Sequence, residues 1–393
     1  MKFFNRVPLL AGVLLAGATA AAIAVGSTGL RHFDPALTGY AIGALMAAFA
    51  VGYRFAVWAQ RPPSRMYFKR GFELFFRRAS AVAATPPSPS VAAAPSPRAE
   101  SGDEASPKRT AMGAPQPRAS QPHSAASPLP FGAGTLGFAV AKNFIAQDFI
   151  RRRGGYRWIM HLCLSGGCTL AFAITFPLVF GWIHFESFPD NAEMYHVSAL
   201  GMNVDSFSVH SFKAFLMFNL LNISAVLVLI GLVMAAWRRF TDAGERATQS
   251  FAEDILPLLL IFAVTATGLA LTVSYKFLAG RGHHIWAVVH MVSVVSLLLY
   301  IPFGKLFHMF QRTCSLCVSR YKKVGAAGER AHCRRCGADF ASAMHVEDMK
   351  TVLDELGFDY RFTGARGEVH YQDICPACRR GLLALNQGRT IGR

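Results

Sequence analysis

What the sequence lacks first is charge. Only 16% of its 393 residues are Asp, Glu, Lys or Arg, while 52% are hydrophobic; an ordinary soluble domain carries roughly 25% charged residues. With a positive mean hydropathy, that shortage excludes a purely water-soluble protein and points to an integral membrane protein with soluble pieces. Acidic residues are the scarcer kind, 23 against 40 basic, for a formal charge of +17. No nucleic-acid-binding motif accompanies this charge, so no nucleic acid is expected as a partner. The basic residues sit beside apolar runs, as positive-inside bias and anionic lipid require. Nucleotide, flavin and molybdopterin motifs are also missing. Cysteine is sparse: six of the eight form three C-x-x-C pairs near the C-terminus.

The chain is organised by six apolar runs, at 7–28, 37–58, 156–184, about 210–236, about 255–278 and 283–312. Each reaches the roughly 20 residues a bilayer span needs. The expected fold class is an all-α membrane protein with six transmembrane helices and a small cytoplasmic zinc-ribbon-like tail. Residues 1–60 hold the first two spans. The first is read as uncleaved, although Ala18-Thr19-Ala20 also suits a signal-peptide cleavage site. Residues 61–130 are basic, then rich in Ala, Pro and Ser, and read as a disordered cytoplasmic linker. Residues 131–155 read as an amphipathic helix lying on the membrane surface. Residues 156–312 form a four-helix membrane domain, and 313–393 a cytoplasmic Cys-rich metal-binding domain. Arg65, Lys69 and Arg70, then Arg151–Arg153, Arg238 and Arg239, mark inner ends of spans. The acidic segment 185–209 then lies outside and the C-terminus is cytoplasmic.

The last span, HHIWAVVHMVSVVSLLLYIPFGKLFHMFQR, carries His290 and His308. On one straight helix they lie roughly 27 Å apart. Ionisable residues in membrane helices are costly and mark function. His161 opens the third span on the inner side, level with His308. Two imidazoles facing across a bundle can hold a heme between them. Cys163 and Cys168 read as small packing residues, and Gly166 and Gly167 as places where a porphyrin or a helix can approach.

The pattern of His290, an apolar run, and then Pro302-Phe303-Gly304-Lys305-Leu306-Phe307-His308 resembles the last transmembrane helix of the cytochrome b (gamma) subunit of respiratory nitrate reductase. That family includes the cytochrome subunits of heterodisulfide reductase-like complexes. The resemblance covers about residues 155–312. It extends to AVLVLIGLVMAAWRRF at the end of the fourth span, Arg246-Ala247-Thr248 and Asp254-Ile255-Leu256. It implies a four-helix cytochrome b core holding one or two heme b groups, with the inner heme between His161 and His308. The family's partner for His290 falls at Ala171, which cannot ligate. Either His210 or His184 completes the outer site, or the outer heme is absent. Lys213 resembles a lysine of the family's outer quinol pocket; the alternative is a lysine snorkelling at a helix end. The implied function is electron transfer, in the inner (plasma) membrane, between menaquinol or ubiquinol and a soluble cytoplasmic iron–sulfur oxidoreductase subunit that does the substrate chemistry. The other readings are a multispanning transporter, or a non-heme anchor with a zinc-binding regulatory tail.

In the tail the pairs are Cys314/Cys317, Cys333/Cys336 and Cys375/Cys378. Each is a knuckle able to aim two thiolates at one metal. The second and third are expected to share a zinc ion, with iron or an iron–sulfur cluster as the alternative. Cys314/Cys317 with Cys333/Cys336 is the other possible pairing. Between the second and third knuckles, VEDMKTVLDELGF reads as a helix and FDYRF as a strand.

Overall fold

The structure, a computed structural model, describes residues 6–76, 137–138, 140–364 and 367–391. These divide into two compact units.

The first unit takes in residues up to 68 and from 132 to 316. Its helices are α1 (Arg6–Gly26) and α2 (Thr38–Gln60), the start of α3 (Ser64–Phe76), α4 (Gly155–Val179), α5 (Phe212–Thr241), α6 (Leu256–Phe277) and α7 (His283–Tyr300). Six of these segments, all but α3, are long and apolar enough to cross a membrane. In lipid every backbone group must be paired within its segment, so an uncharged run of this length folds as a helix. The protein thus has the architecture of a multi-pass membrane protein, mostly helical, with spans where the apolar runs predict them.

Glycines set how closely the helices pack. A Cβ on Gly231 of α5 would lie 2.7 Å from the Leu164 backbone nitrogen of α4, and one on Gly167 would lie 2.9 Å from the Ser224 carbonyl oxygen. The two backbones therefore touch through reciprocal glycines, as small residues permit in membrane helices. Gly166 has nothing within 4 Å, so of the pair it is Gly167 that admits a neighbouring helix. Gly231→Leu should force α4 and α5 apart at a cost of about 1–3 kcal/mol, read as a lower melting temperature in detergent.

The two N-terminal helices are not a separate body. Gly39 and Gly43 of α2 pack against Met291 and Val295 of α7. Arg54 of α2 donates to the Pro302 carbonyl and stacks 4.5 Å over the Phe307 ring. Phe307 is itself buried, in a cluster with Ala47, Val51, Leu298 and Ile301.

Three expectations for this unit need correction. The acidic segment expected as a loop at 185–209 is largely regular: residues 183–208 form an antiparallel sheet in the order β1 (Ile183–Phe188), β2 (Asn191–Ala199), β3 (Met202–Ser208). Val197 and Phe207 bury against Ala214, with Ile183, Phe185 and Tyr195 packed around them. Of the amphipathic helix expected over 131–155, residues 131–136 and 139 lie outside the described residues, and the described part is not one helix: a π-turn (Ala141–Ile145) and a short helical turn (Asp148–Arg151) meet at Gln147, whose φ of 49° is left-handed. The last span is not continuous either. α7 stops at Tyr300, and the chain turns through Pro302 and Gly304 before a 3₁₀ turn (Lys305–Phe307) and a helical turn (His308–Gln311). Proline removes a helical hydrogen bond and clashes with the preceding turn. Gly304 lets the Tyr300 ring fold across it, since a Cβ there would lie 2.1 Å from Tyr300 Cζ.

The second unit takes in residues from 69 and from 317 onward. It holds the end of α3, most of α8 (Ser315–Ala327), the hairpin β4 (Arg330–His332) with β5 (Asp339–Ser342), α9 (Ala343–Glu355), the hairpin β6 (Arg361–Gly364) with β7 (Gly367–His370), and α10 (Pro376–Ile391). The helix and strand expected between the second and third knuckles are α9 and β6. Ser342 caps α9 by accepting from the His345 N–H. The linker expected from residue 61 begins later, because α3 runs to Phe76 and Arg70 binds Asp348 at 2.9 Å. Asp348 is buried and also accepts from the Tyr321 hydroxyl at 2.8 Å. Such a buried, doubly bonded carboxylate fixes the α3 end to α9. The rest of the expected linker, 77–130, lies outside the described residues.

Candidate functional site

The histidine pair expected at the inner membrane level is built from three segments. His161 lies in the second turn of α4, with Nδ1 2.7 Å from Gln147 Oε1. The Gln147 amide nitrogen donates to Ser165 Oγ at 2.6 Å, and that hydroxyl donates to the His161 carbonyl at 2.7 Å. This chain turns the Gln147 oxygen toward the ring, so Nδ1 carries the proton and Nε2 keeps its lone pair. The left-handed kink at Gln147 aims this side chain back at α4, and the residue is buried. His308 does the same with a different acceptor: its Nδ1 is 2.6 Å from the Lys305 carbonyl. His161, His308 and Arg312 lie within electrostatic reach of one another. A nitrogen-bound metal wants an imidazole fixed through its other nitrogen in this way.

The Pro-Phe-x-Lys-Leu-x-His stretch works as a bracket for His308. Lys305 Nζ reaches Asp254 Oδ1 at 2.7 Å, and Arg239 stands 3.4 Å from the same oxygen. The second Asp254 oxygen accepts from the Ser250 N–H at 3.0 Å. Lys305 and Asp254 belong to two separately recognised stretches of the sequence, and here they meet. Phe307 is anchored by Arg54 as described.

The outer histidine stands apart from this pair. His290 lines an apolar cavity of about 340 Å³ together with Tyr40, Ala171, Asn222, Thr265 and Gly268. His290 Nδ1 lies 2.9 Å from Thr267 Oγ1. That hydroxyl already donates to the Ala263 carbonyl at 2.6 Å, so the ring nitrogen donates and Nε2 again keeps its lone pair. Ala171 shares the cavity and offers no donor. Neither proposed substitute reaches it. The His210 side chain is 76% exposed, 3.9 Å from Glu193, on the turn before α5. His184 sits on β1, stacked against His32. Lys213 does not line the cavity either: it pairs with Asp205 and lies 5.6 Å from the Phe207 ring. Its hydrogen bond holds the Asp205 carboxyl below the ordinary range.

No family model, curated protein or solved structure matches the chain. The site must therefore be judged on its own chemistry. Its donors are two imidazoles fixed through Nδ1, His161 and His308, and a third, His290, in the apolar cavity.

In the second unit the sulfurs of Cys333, Cys336, Cys375 and Cys378 lie within 4.8 Å of one another. They can hold one metal ion, and they are the expected pairing of the second and third knuckles. The Cys333/Cys336 knuckle is the turn between β4 and β5: Cys333 N–H donates to the Ala338 carbonyl, and Gly337, at φ 75°, returns its N–H to the Cys333 carbonyl at 2.8 Å. The Cys375/Cys378 knuckle is the N-terminal turn of α10, where Pro376 is preset for helix entry. N–H groups point at the sulfurs, from Cys375 and Arg335 to Cys333 Sγ and from Cys378 to Cys375 Sγ. Burial opposes ionisation of Cys333, yet the N–H groups of Cys375, Cys336 and Arg335 pull its thiol down to about 6. Cys378 is pushed up to about 12, first by its hydrogen bond with Cys375 and also by the Cys333 charge. One thiolate resists the next, so four together need a cation. Cys314 and Cys317 are not members of this cluster; they lie on a 3₁₀ turn and on α8, where Cys317 packs on Gly71. Among the described residues, the thiols that converge are those of the second and third knuckles.

Three contributors escaped the sequence reading: Gln147, Tyr40 and Arg54. Arg54 alone carried a signal, as an arginine inside an apolar run.

Proposed function

We propose that this protein is a membrane-bound b-type cytochrome subunit that passes electrons between a quinol pool, menaquinol or ubiquinol, and a soluble cytoplasmic oxidoreductase. The observation that carries the reading is the inner pair. His161 and His308 lie within reach of each other, each fixed through Nδ1 and each keeping Nε2 for a metal. Heme b bound there supplies reversible one-electron storage. Gln147 and the Lys305 carbonyl hold the two rings in the ligating tautomer. Arg312, within electrostatic reach of both imidazoles, would offer a cation to the carboxylates that heme carries. The bracket of Asp254 with Lys305 and Arg239 keeps His308 at its level despite the broken helix.

The tail metal is read as zinc. It has no redox chemistry, so the second unit serves as a docking platform for the soluble partner rather than a relay. The membrane is the inner (plasma) membrane, with the arginine-rich ends and the tail on the cytoplasmic side. A dithionite-reduced-minus-oxidised spectrum of the purified full chain tests the reading. Paired-imidazole heme b gives sharp α and β bands. A flat difference spectrum from protein expressed with ample heme would sink it.

A further inference from the structure

The outer end of the first unit carries a second cluster of ligand-type side chains, unconnected with the histidines of the bundle. His32, His184 and Glu186 each offer one donor atom, and these atoms lie within 4.8 Å of one another. They come from two places in the sequence, His32 from the turn after α1 and His184 with Glu186 from β1, and are held there by packing. Trp182 donates from its indole nitrogen to the Ala22 carbonyl at 2.9 Å, and a Cβ on Gly26 would fall 1.7 Å from its ring. Ser27 is fully buried and accepts from the Leu30 N–H at 3.1 Å, while its carbonyl takes the His32 N–H at 3.1 Å. Thr28, Gly29 and Leu30 all have left-handed φ, between 54° and 69°. This tight turn presents His32 face to face with His184, ring centroids 4.7 Å apart and planes within 11°. On β1, residues 184 and 186 point to one face.

The spacing suits a shared ion. His184 Nε2 lies 3.2 Å from Glu186 Oε1, a separation at which one tetrahedral ion takes both atoms as ligands. With Nε2 ligating, His184 carries its ring proton on Nδ1, which is buried and has no hydrogen-bond partner among the described residues. His32 and Glu186 are exposed, so solvent can complete the coordination.

We propose that His32, His184 and Glu186 form a divalent transition-metal site at the outer end of the bundle, which ties the α1–α2 turn to the sheet. Two imidazole donors and one carboxylate select zinc or copper over magnesium or calcium. The site does not depend on heme binding. Closing it links residue 32 to residue 184, so metal stabilises the folded bundle by mass action.

The test is zinc content of the full chain in detergent, stripped with chelator, reloaded with zinc chloride and desalted. The wild type is expected to retain one more zinc equivalent than His32→Ala and one more than His184→Ala, with the tail cysteines intact in all three. Zinc should also raise the melting temperature of the wild type further than that of either variant. Equal zinc content in wild type and both variants overturns the site. Should His184→Ala fail to fold, His32→Ala, a change on an exposed turn, decides alone. A Cys336→Ser/Cys378→Ser chain that keeps the zinc lost by His32→Ala separates this site from the tail.

Discussion

His161→Ala and His308→Ala should each abolish the inner heme b signal, and with it quinol-linked reduction of any soluble acceptor. The expected loss is complete rather than graded, because a bis-imidazole heme that loses one ligand loses both its low-spin spectrum and most of its hold on the protein. Gln147→Leu probes the same site more gently. It leaves both imidazoles but removes the acceptor on His161 Nδ1. Outer-shell changes of this kind typically cost about 10–100-fold in affinity or activity, so heme should be retained at high heme concentration and lost on dilution. His210→Ala is the control, since its side chain is solvent-exposed and its removal should leave the spectrum unchanged. Full heme content in both His161→Ala and His308→Ala would contradict the assignment.

The second large effect is expected in the tail. Stripping the metal from Cys333, Cys336, Cys375 and Cys378 should unfold the segment beyond β4 while the membrane helices stay intact. Its apolar core is small: Val369 and Ile374 cluster with two of the ligand cysteines themselves. Domains of this size bury too little to fold alone, and structural zinc contributes apparent binding energies of about 10–16 kcal/mol in zinc-finger peptides at neutral pH. Limited proteolysis of the full chain with and without chelator reads this directly, as new cleavage between residues 331 and 391 only in chelator. Affinity should fall as the pH drops, because the ligating thiols must lose their protons. Metal analysis of the untreated protein separates the two electron-path readings. Iron in place of zinc would make the tail a relay. A protease-resistant, metal-free tail would remove the site.

Which parts of this were legible in the sequence follows from where the physics is local. Apolar length fixes a span almost by itself, so all six were visible, and the four-cysteine site followed from spacing and small neighbours. The sheet at 183–208 was hidden because its inward residues, Phe185, Val197 and Phe207, are scattered among polar and acidic ones, so the segment as a whole resembles a polar loop. The break at Pro302 was written in the sequence, yet the long apolar run before it outweighed it. Nothing local could reveal Gln147. Its role depends on a left-handed kink and on a hydroxyl eighteen residues away. The cavity wall supplied by Tyr40 depends on α2 packing against α7 through Gly39 and Gly43, a contact between the two ends of the membrane unit.

That last contact bears on how the protein is made. Arg54 is joined to the Pro302 carbonyl across 248 residues of sequence. At about 5–20 residues per second, the ribosome delivers that partner roughly 10–50 s after α2 has been inserted. During this interval the guanidinium must be held by lipid headgroups or by the insertion machinery. The α1–α2 pair is thus made well before the contact that locks it to α7. Chains truncated before Pro302 should be the ones that membrane quality control removes.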